Sequence, residues 1–185
     1  FKVLGFGENK NGGLGIGDCT ERIIPTLIPG LDYLKSVTIG PGSSLFLNEK
    51  GDVFVAGRKS PLLGLGYDTQ SNELILNPTK INGINNVKEV SISDTHVLIL
   101  SQDGEVYAFG WNDFGQLGLG DREPRSIPTI IEGLENVKAV SAGCWFSLVL
   151  LENGDVYAFG LNEGRLGLGD YSSRTIPVKI ESLSN

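Results

Sequence analysis

The word Gly154-Asp155-Val156-Tyr157-Ala158-Phe159-Gly160 is not unique in this chain. Close variants of it end at Gly7, Gly57 and Gly110, so the closing glycine returns at intervals of 50, 53 and 50 residues. The pairs Leu14-Gly15, Leu63-Gly64, Leu117-Gly118 and Leu166-Gly167 keep the same beat. A period this long means one supersecondary unit per copy, stacked on its neighbours because no single unit can bury its apolar faces alone. Any motif put forward as an active site must then account for its own recurrence, and architecture accounts for recurrence more simply than chemistry does.

In the last copy, Val137-Lys138-Ala139-Val140-Ser141-Ala142 is a first short strand, and after a break at Gly143-Cys144-Trp145 the run Phe146-Ser147-Leu148-Val149-Leu150-Leu151 is a second. A two-residue turn is expected at Asn153-Gly154, with counterparts at Lys50-Gly51 and Asp103-Gly104, where glycine supplies the positive φ of a tight hairpin. Val156 to Phe159 forms the third strand. A glycine-rich excursion ending in Leu-Gly-x-Gly follows, and then a fourth strand expected to open at Pro25, Pro78, Pro128 or Pro177. Proline cannot donate to a ladder, which puts this strand on the outer edge of its sheet. No window sustains a 3.6-residue apolar period, so little helix is expected.

Four antiparallel strands per unit, joined by short connections, suit the radial arrangement of a propeller blade. A β-sandwich has no reason to repeat its turn chemistry at a fixed interval. The expected fold is all-β, a partial β-propeller of four-stranded antiparallel blades with about three and a half repeats. Residues 1–31 hold a half repeat, and full repeats occupy 34–84, 87–134 and 137–183.

Composition narrows the function classes. The formal charge is −7, so the average surface repels phosphate backbones and direct nucleic-acid binding is not expected. Apolar runs such as Leu148 to Leu151 are far too short to span a bilayer. Cys19 and Cys144 occupy non-equivalent places of the repeat without C-x-x-C spacing, which signals neither a disulfide framework nor a zinc site. An intracellular setting, cytoplasmic or nuclear, is expected. With no methionine and a first residue already inside a strand-like motif, the chain is expected to be a piece of a longer one, whose parent would supply the remaining blades.

The elements Ala142-Gly143-x-x-x-Ser147-Leu148, Gly154 to Gly160 followed by Asn162, and Gly164-Arg165-Leu166-Gly167-Leu168-Gly169-Asp170 resemble the repeat of the regulator of chromosome condensation family. The third copy is similar, with Gly104 to Asn112 and Gly115-Gln116-Leu117-Gly118-Leu119-Gly120-Asp121. The resemblance covers essentially the whole chain and implies the seven-bladed ring usual in that family. Kelch propellers repeat a glycine doublet in every blade, whereas Gly12-Gly13 occurs once here. Where the family usually has histidine before the Ser-Leu of the second strand, this chain has Ser43, His96 and Phe146. The second copy is eroded at Arg58-Lys59-Ser60-Pro61 and carries the chain's one clear insertion, between Gly66 and Pro78.

Catalytic, cofactor and metal residues are not expected. His96 has no nucleophile partner in its own motif and is expected to be a hydrogen-bonded histidine between blades. The Leu-Gly-x-Gly-Asp words lack Gly-Lys-Ser/Thr and precede a strand, so they are not phosphate loops. Their aspartates are expected to cap their own loops as Asx turns. A working surface would lie on loops at one propeller face. The breaks between first and second strands place Gly42, then Asp94, Thr95 and His96, then Cys144 and Trp145, at equivalent positions in successive copies. Trp145 is the leading anchor for a partner, with packing against the neighbouring blade as its alternative role. Tyr67 and Asp68 in the insertion are a second contact candidate.

These features are expected to serve a protein-protein interaction propeller without a catalytic site of its own. The resemblance implies a narrower activity for some relatives, guanine-nucleotide exchange on a small GTPase as partner. The alternative is a sensory or scaffold propeller without exchange activity, photoreceptor-like or a regulatory domain associated with a ubiquitin ligase or kinase. A plant UV-B photoreceptor on the same propeller uses clustered tryptophans with arginines, and this chain has only Trp111 and Trp145, neither in a repeated tryptophan-arginine word.

Overall fold

The structure is a computed structural model that describes residues 2–58, 63–66 and 73–183. Alternation alone explains its sheets. In the strand His96–Ser101 every residue is buried, yet Val97 and Ile99 join one apolar cluster while Leu98 and Leu100 join another. Successive side chains of a strand point to opposite faces, so a strand that is apolar at every position must be covered on both sides. That is the requirement a stack of blades meets.

Among the described residues fourteen strands run in chain order: β1 (Lys2–Gly7), β2 (Arg22–Asp32), β3 (Leu34–Gly40), β4 (Ser43–Asn48), β5 (Val53–Arg58), β6 (Leu74–Lys80), β7 (Val87–Ile92), β8 (His96–Ser101), β9 (Val106–Gly110), β10 (Arg125–Ile130), β11 (Val137–Ala142), β12 (Phe146–Leu151), β13 (Val156–Gly160) and β14 (Arg174–Lys179). They form one two-stranded sheet, β1-β2, and three four-stranded antiparallel sheets in which each strand pairs with its sequence neighbour. A 3-10 turn at Glu181–Leu183 follows β14, and the described residues contain no α-helix. The fold is thus all-β, with about three and a half propeller blades.

The blades lie side by side, with the first strands of successive full blades in contact. Lys35 Nζ donates to Lys88 O at 2.7 Å, and Lys88 Nζ repeats the contact to Lys138 O at 3.1 Å. One cluster joins β1-β2 to the first full sheet through Val3, Ile28, Phe46 and Ala56. Leu45, Leu47, Ile99 and Phe109 join the next pair of sheets, and Leu98, Leu100, Val140 and Phe159 the pair after that.

Two expectations about local geometry change. The hairpins at Gly51, Gly104 and Gly154 are three-residue loops, not two-residue turns. In the last, Gly154 N donates to Leu151 O at 3.0 Å and Leu151 N to Asp155 O at 2.9 Å. This is a type I turn followed by glycine in a bulge, which leaves Asn153 free of the positive φ that a two-residue turn would demand. The fourth strands do not open at proline either. β10 and β14 begin three residues before Pro128 and Pro177, and the ladder between β10 and β9 skips register from Arg125 to Thr129, across the proline. An edge strand tolerates proline inside it when the missing donor falls in such an irregularity. The edge position itself is as expected.

Candidate interaction face

In each antiparallel sheet the turn between first and second strands and the loop between third and fourth emerge at the same end. A repeated polar frame fixes the longer loop. Asn112 Oδ1 accepts from Leu117 N at 3.0 Å while its Nδ2 donates to Asp121 O and Oδ1 at 3.1 and 3.2 Å. Asp121 Oδ1 accepts from Glu123 N, and Arg125 donates to Asp121 Oδ2 at 2.6 Å. Asn9, Asp18 and Arg22 build the same frame, as do Asn162, Asp170 and Arg174. The arginine holds each of these three carboxyls below the usual carboxylate range. The aspartates do form the expected Asx turns, at Thr20, Glu123 and Ser172. The arginines were missed, although Asp-x-x-x-Arg recurs at 18–22, 121–125 and 170–174.

The second glycine of each of the first three Leu-Gly-x-Gly words staples its loop to the next blade. Gly17 N donates to Leu76 O at 2.9 Å, Gly66 N to Ser126 O at 2.7 Å and Gly120 N to Thr175 O at 2.8 Å. In the second and third copies the first glycine of the word makes room for an aromatic ring: a Cβ on Gly64 would lie 2.9 Å from the Phe109 ring and one on Gly118 2.7 Å from the Phe159 ring. The glycine that ends β9 has its own reason. Gly110 has φ of +121°, and a Cβ there would lie 2.5 Å from Thr95 O. A side chain at that position would drive apart the third strand and the turn carrying the face.

His96 lies fully buried behind the turn. Its Nε2 sits 2.7 Å from Ser147 Oγ on the next blade, and Ser147 Oγ donates to Gln116 O at 2.7 Å. Serine has one proton to give, so the proton between the two side chains belongs to Nε2. The ring is then the neutral Nε2–H tautomer, with Nδ1 accepting at 3.0 Å from Ser93 Oγ. Burial pushes its pKa down to about 3. Thr95, also buried, donates through Oγ1 to Cys144 O across the same junction. The expected inter-blade histidine is what the structure contains, and neither His96 nor Thr95 reaches the surface. Both serve the seam beneath the face.

Trp145 is half-buried and meets Phe114 of the preceding blade edge to face, with ring centroids 5.4 Å apart and planes at 80°. Its backbone oxygen accepts from Leu161 N at 2.8 Å. Cys144 and Asp94 are exposed beside it. Gly42 is half-buried, and its carbonyl accepts from Arg58 N at 3.1 Å. Trp111 is 38% exposed, and its amide donates to Thr95 O at 2.8 Å, so the loop it opens starts from the same turn. Trp111 and Phe114 were not singled out as contacts; their type and their place after the third strand were the available signals. Tyr67 and Asp68 lie outside the described residues. Among the described residues no group of three or more His, Cys, Asp or Glu could hold a metal ion.

The family profile described as "Regulator of chromosome condensation (RCC1) repeat" matches residues 2–47, 103–150 and 153–185, and a second profile of the same description matches 87–116 and 137–164. The chain belongs to the RCC1 repeat family. It is 32% identical over 130 residues to the Ultraviolet-B receptor UVR8 of Arabidopsis thaliana, spanning 69% of this chain and 29% of UVR8. It is 37% identical over 128 residues to the Probable E3 ubiquitin-protein ligase HERC6 of Homo sapiens, spanning 66% of this chain and 12% of HERC6. In the crystal structure of Kap60 bound to yeast RCC1 (Prp20), one chain superimposes with a TM-score of 0.82 at 24% identity, over 97% of this chain and 44% of that one. This chain therefore spans less than a third of either curated relative. No helix among the described residues is long and apolar enough to cross a membrane.

Proposed function

We propose that this chain is a protein-binding propeller segment whose partner docks on the loop face bearing Trp111, Phe114 and Trp145, flanked by Asp94, Cys144 and Gly42. The observation that carries this reading is the edge-to-face pair of Phe114 and Trp145. It sits on a blade seam, locked from below by the Thr95 and His96 hydrogen bonds. Half-exposed aromatics held rigid by their scaffold lose little entropy on binding, and they are the residue types enriched at interface hot spots. Two exposed free thiols, Cys19 and Cys144, favour a reducing intracellular compartment, cytoplasm or nucleus.

A narrower version is guanine-nucleotide exchange on a small GTPase. It requires only that the face bind nucleotide-free GTPase better than loaded GTPase, so that the propeller shifts an existing equilibrium. A scaffold role without exchange activity is the second reading, in keeping with the likeness to the Probable E3 ubiquitin-protein ligase HERC6. Affinity capture with the protein, compared with its Trp145→Ala variant, tests the face; an unaltered set of captured proteins overturns it. Release of labelled nucleotide from a panel of small GTPases separates the two readings, and release unchanged by excess protein removes the exchange version.

A further inference from the structure

Asn-Gly occurs three times in the chain, at Asn11-Gly12, Asn82-Gly83 and Asn153-Gly154. The dipeptide carries chemistry of its own. A glycine amide that loses its proton can attack the side-chain amide carbon of the asparagine before it, and the missing Cβ leaves that approach open. The bond from glycine N to Cγ forms, the bond from Cγ to the side-chain nitrogen breaks, and that nitrogen leaves with the proton as ammonia. Water then opens the cyclic imide at one of its two carbonyls, giving aspartate or isoaspartate. The reaction needs a glycine N–H that is not already donating and an asparagine side chain free to turn, and the fold supplies these unequally.

Two of the three sites are locked. Gly12 N donates to Asn9 O at 2.9 Å, and the Asn11 side chain lies so close to Gly42 that a Cβ there would be 2.5 Å from its Nδ2. Gly154 N donates to Leu151 O at 3.0 Å, while Asn153 Oδ1 accepts from Asp155 N at 2.9 Å and its Nδ2 donates to Asp155 Oδ2 at 3.0 Å. The third site is open. Asn82 and Gly83 are both exposed in the connection from β6 to β7, and neither the Gly83 amide nor the Asn82 side chain has a hydrogen-bond partner among the described residues. Gly83 has φ of +84°, and a Cβ there would meet nothing within 4 Å. The next copy of this connection reads Glu132-Gly133, with Gly133 at φ +79° and equally open, so a carboxylate fits the turn. The flanks are fixed, because Ile81 and Ile84 are buried in the cluster that joins the second and third copies.

We infer that Asn82 is a modification site at which the folded chain forms a succinimide and then isoaspartate, and that the isoaspartyl product loosens the seam between the second and third copies. Aspartate at this position only repeats what Glu132 shows to be compatible with the turn. Isoaspartate instead routes the main chain through the side-chain carbonyl, which adds one backbone carbon where successive Cα atoms are otherwise about 3.8 Å apart. With Ile81 and Ile84 both held in the core, the added length is taken up by displacing one of them.

The test ages the purified protein at neutral pH, folded and in denaturant, and follows the peptides carrying Asn11, Asn82 and Asn153 by mass spectrometry, with labelling by an isoaspartyl methyltransferase as a second readout. Each site is compared with its own rate in denaturant. Folding should slow Asn11 and Asn153 about tenfold or more and leave Asn82 within about threefold of its unfolded rate, because only the first two must break native contacts before reacting. The isoaspartyl form, separated by chromatography, should melt below the Asn82→Asp variant. Asn82→Glu should abolish labelling of this peptide with the Tm unchanged. Slowing of Asn82 equal to that of the other two overturns the site, and an isoaspartyl form with the Tm of Asn82→Asp overturns its effect on the seam.

Discussion

Two junctions between full blades use the same strands and different chemistry. Between the third and fourth copies, His96 bridges to Ser147 and onward to Gln116 O, and Thr95 reaches Cys144 O. Between the second and third copies, Ser43 stands where His96 would be and Val97 where Ser147 would be. Ser43 Oγ is buried without a hydrogen-bond partner among the described residues, and apolar packing around Phe109 and Leu63 carries that junction. The fold tolerates a polar seam or an apolar one, provided the glycine spacing and backbone staples are kept. The polar seam adds a specific cost: a buried histidine that must stay neutral.

The contrast can be broken at its shared part. Gly110→Val should be the most damaging change, destabilising by about 3 kcal/mol or more, because it combines positive φ with a clash against the backbone of Thr95 and His96. Denaturant unfolding checks it, and a loss below about 1 kcal/mol would show that the turn can yield. His96→Ala comes next, with an expected loss of about 2–4 kcal/mol from the cavity and the orphaned serines.

Acid sharpens the same difference. The folded pKa of His96, about 3, lies below its ordinary 6.5, so between these values the unfolded chain binds the extra proton. Stability from this group is complete above about pH 6.5 and falls as pH drops towards 3, by up to about 1.4 kcal/mol per unit. The arginine-paired aspartates, lowered from 3.8, begin to lose their contribution only near that value, which leaves the range between for His96. Wild type should show this slope in unfolding experiments, and His96→Gln should flatten it. At the apolar junction, Ser43→Ala should be neutral within about 0.5 kcal/mol or slightly stabilising, because it removes a polar atom with no partner. A large loss there would mean that Ser43 is satisfied in solution. Trp145→Ala should have the smallest effect relative to its size, about 1 kcal/mol, with its main consequence on partner capture.

Much of this was legible because glycine and proline act locally. Positive φ at Gly110 and the edge placement of Pro128 follow from the chain's own sterics, so repeat, strand order and edge were readable before any contact was known. Hairpin type was not: Asn153-Gly154 fits two loop geometries, and the choice depends on how the flanking strands twist. At the candidate face, Trp145 could be picked by residue type. Its partner Phe114 lies in another copy, 31 residues earlier, and only stacking brings the rings together.

The amino-acid order by itself determined four-stranded sheets at a fixed interval, since those constraints lie within a few bonds of each glycine and proline. The tertiary structure alone decided which of two similar words is interior: Phe159 is fully buried and Phe6 is open, though both close a third strand before glycine. Burial is a relation between blades, and a residue's own neighbours in sequence do not contain it.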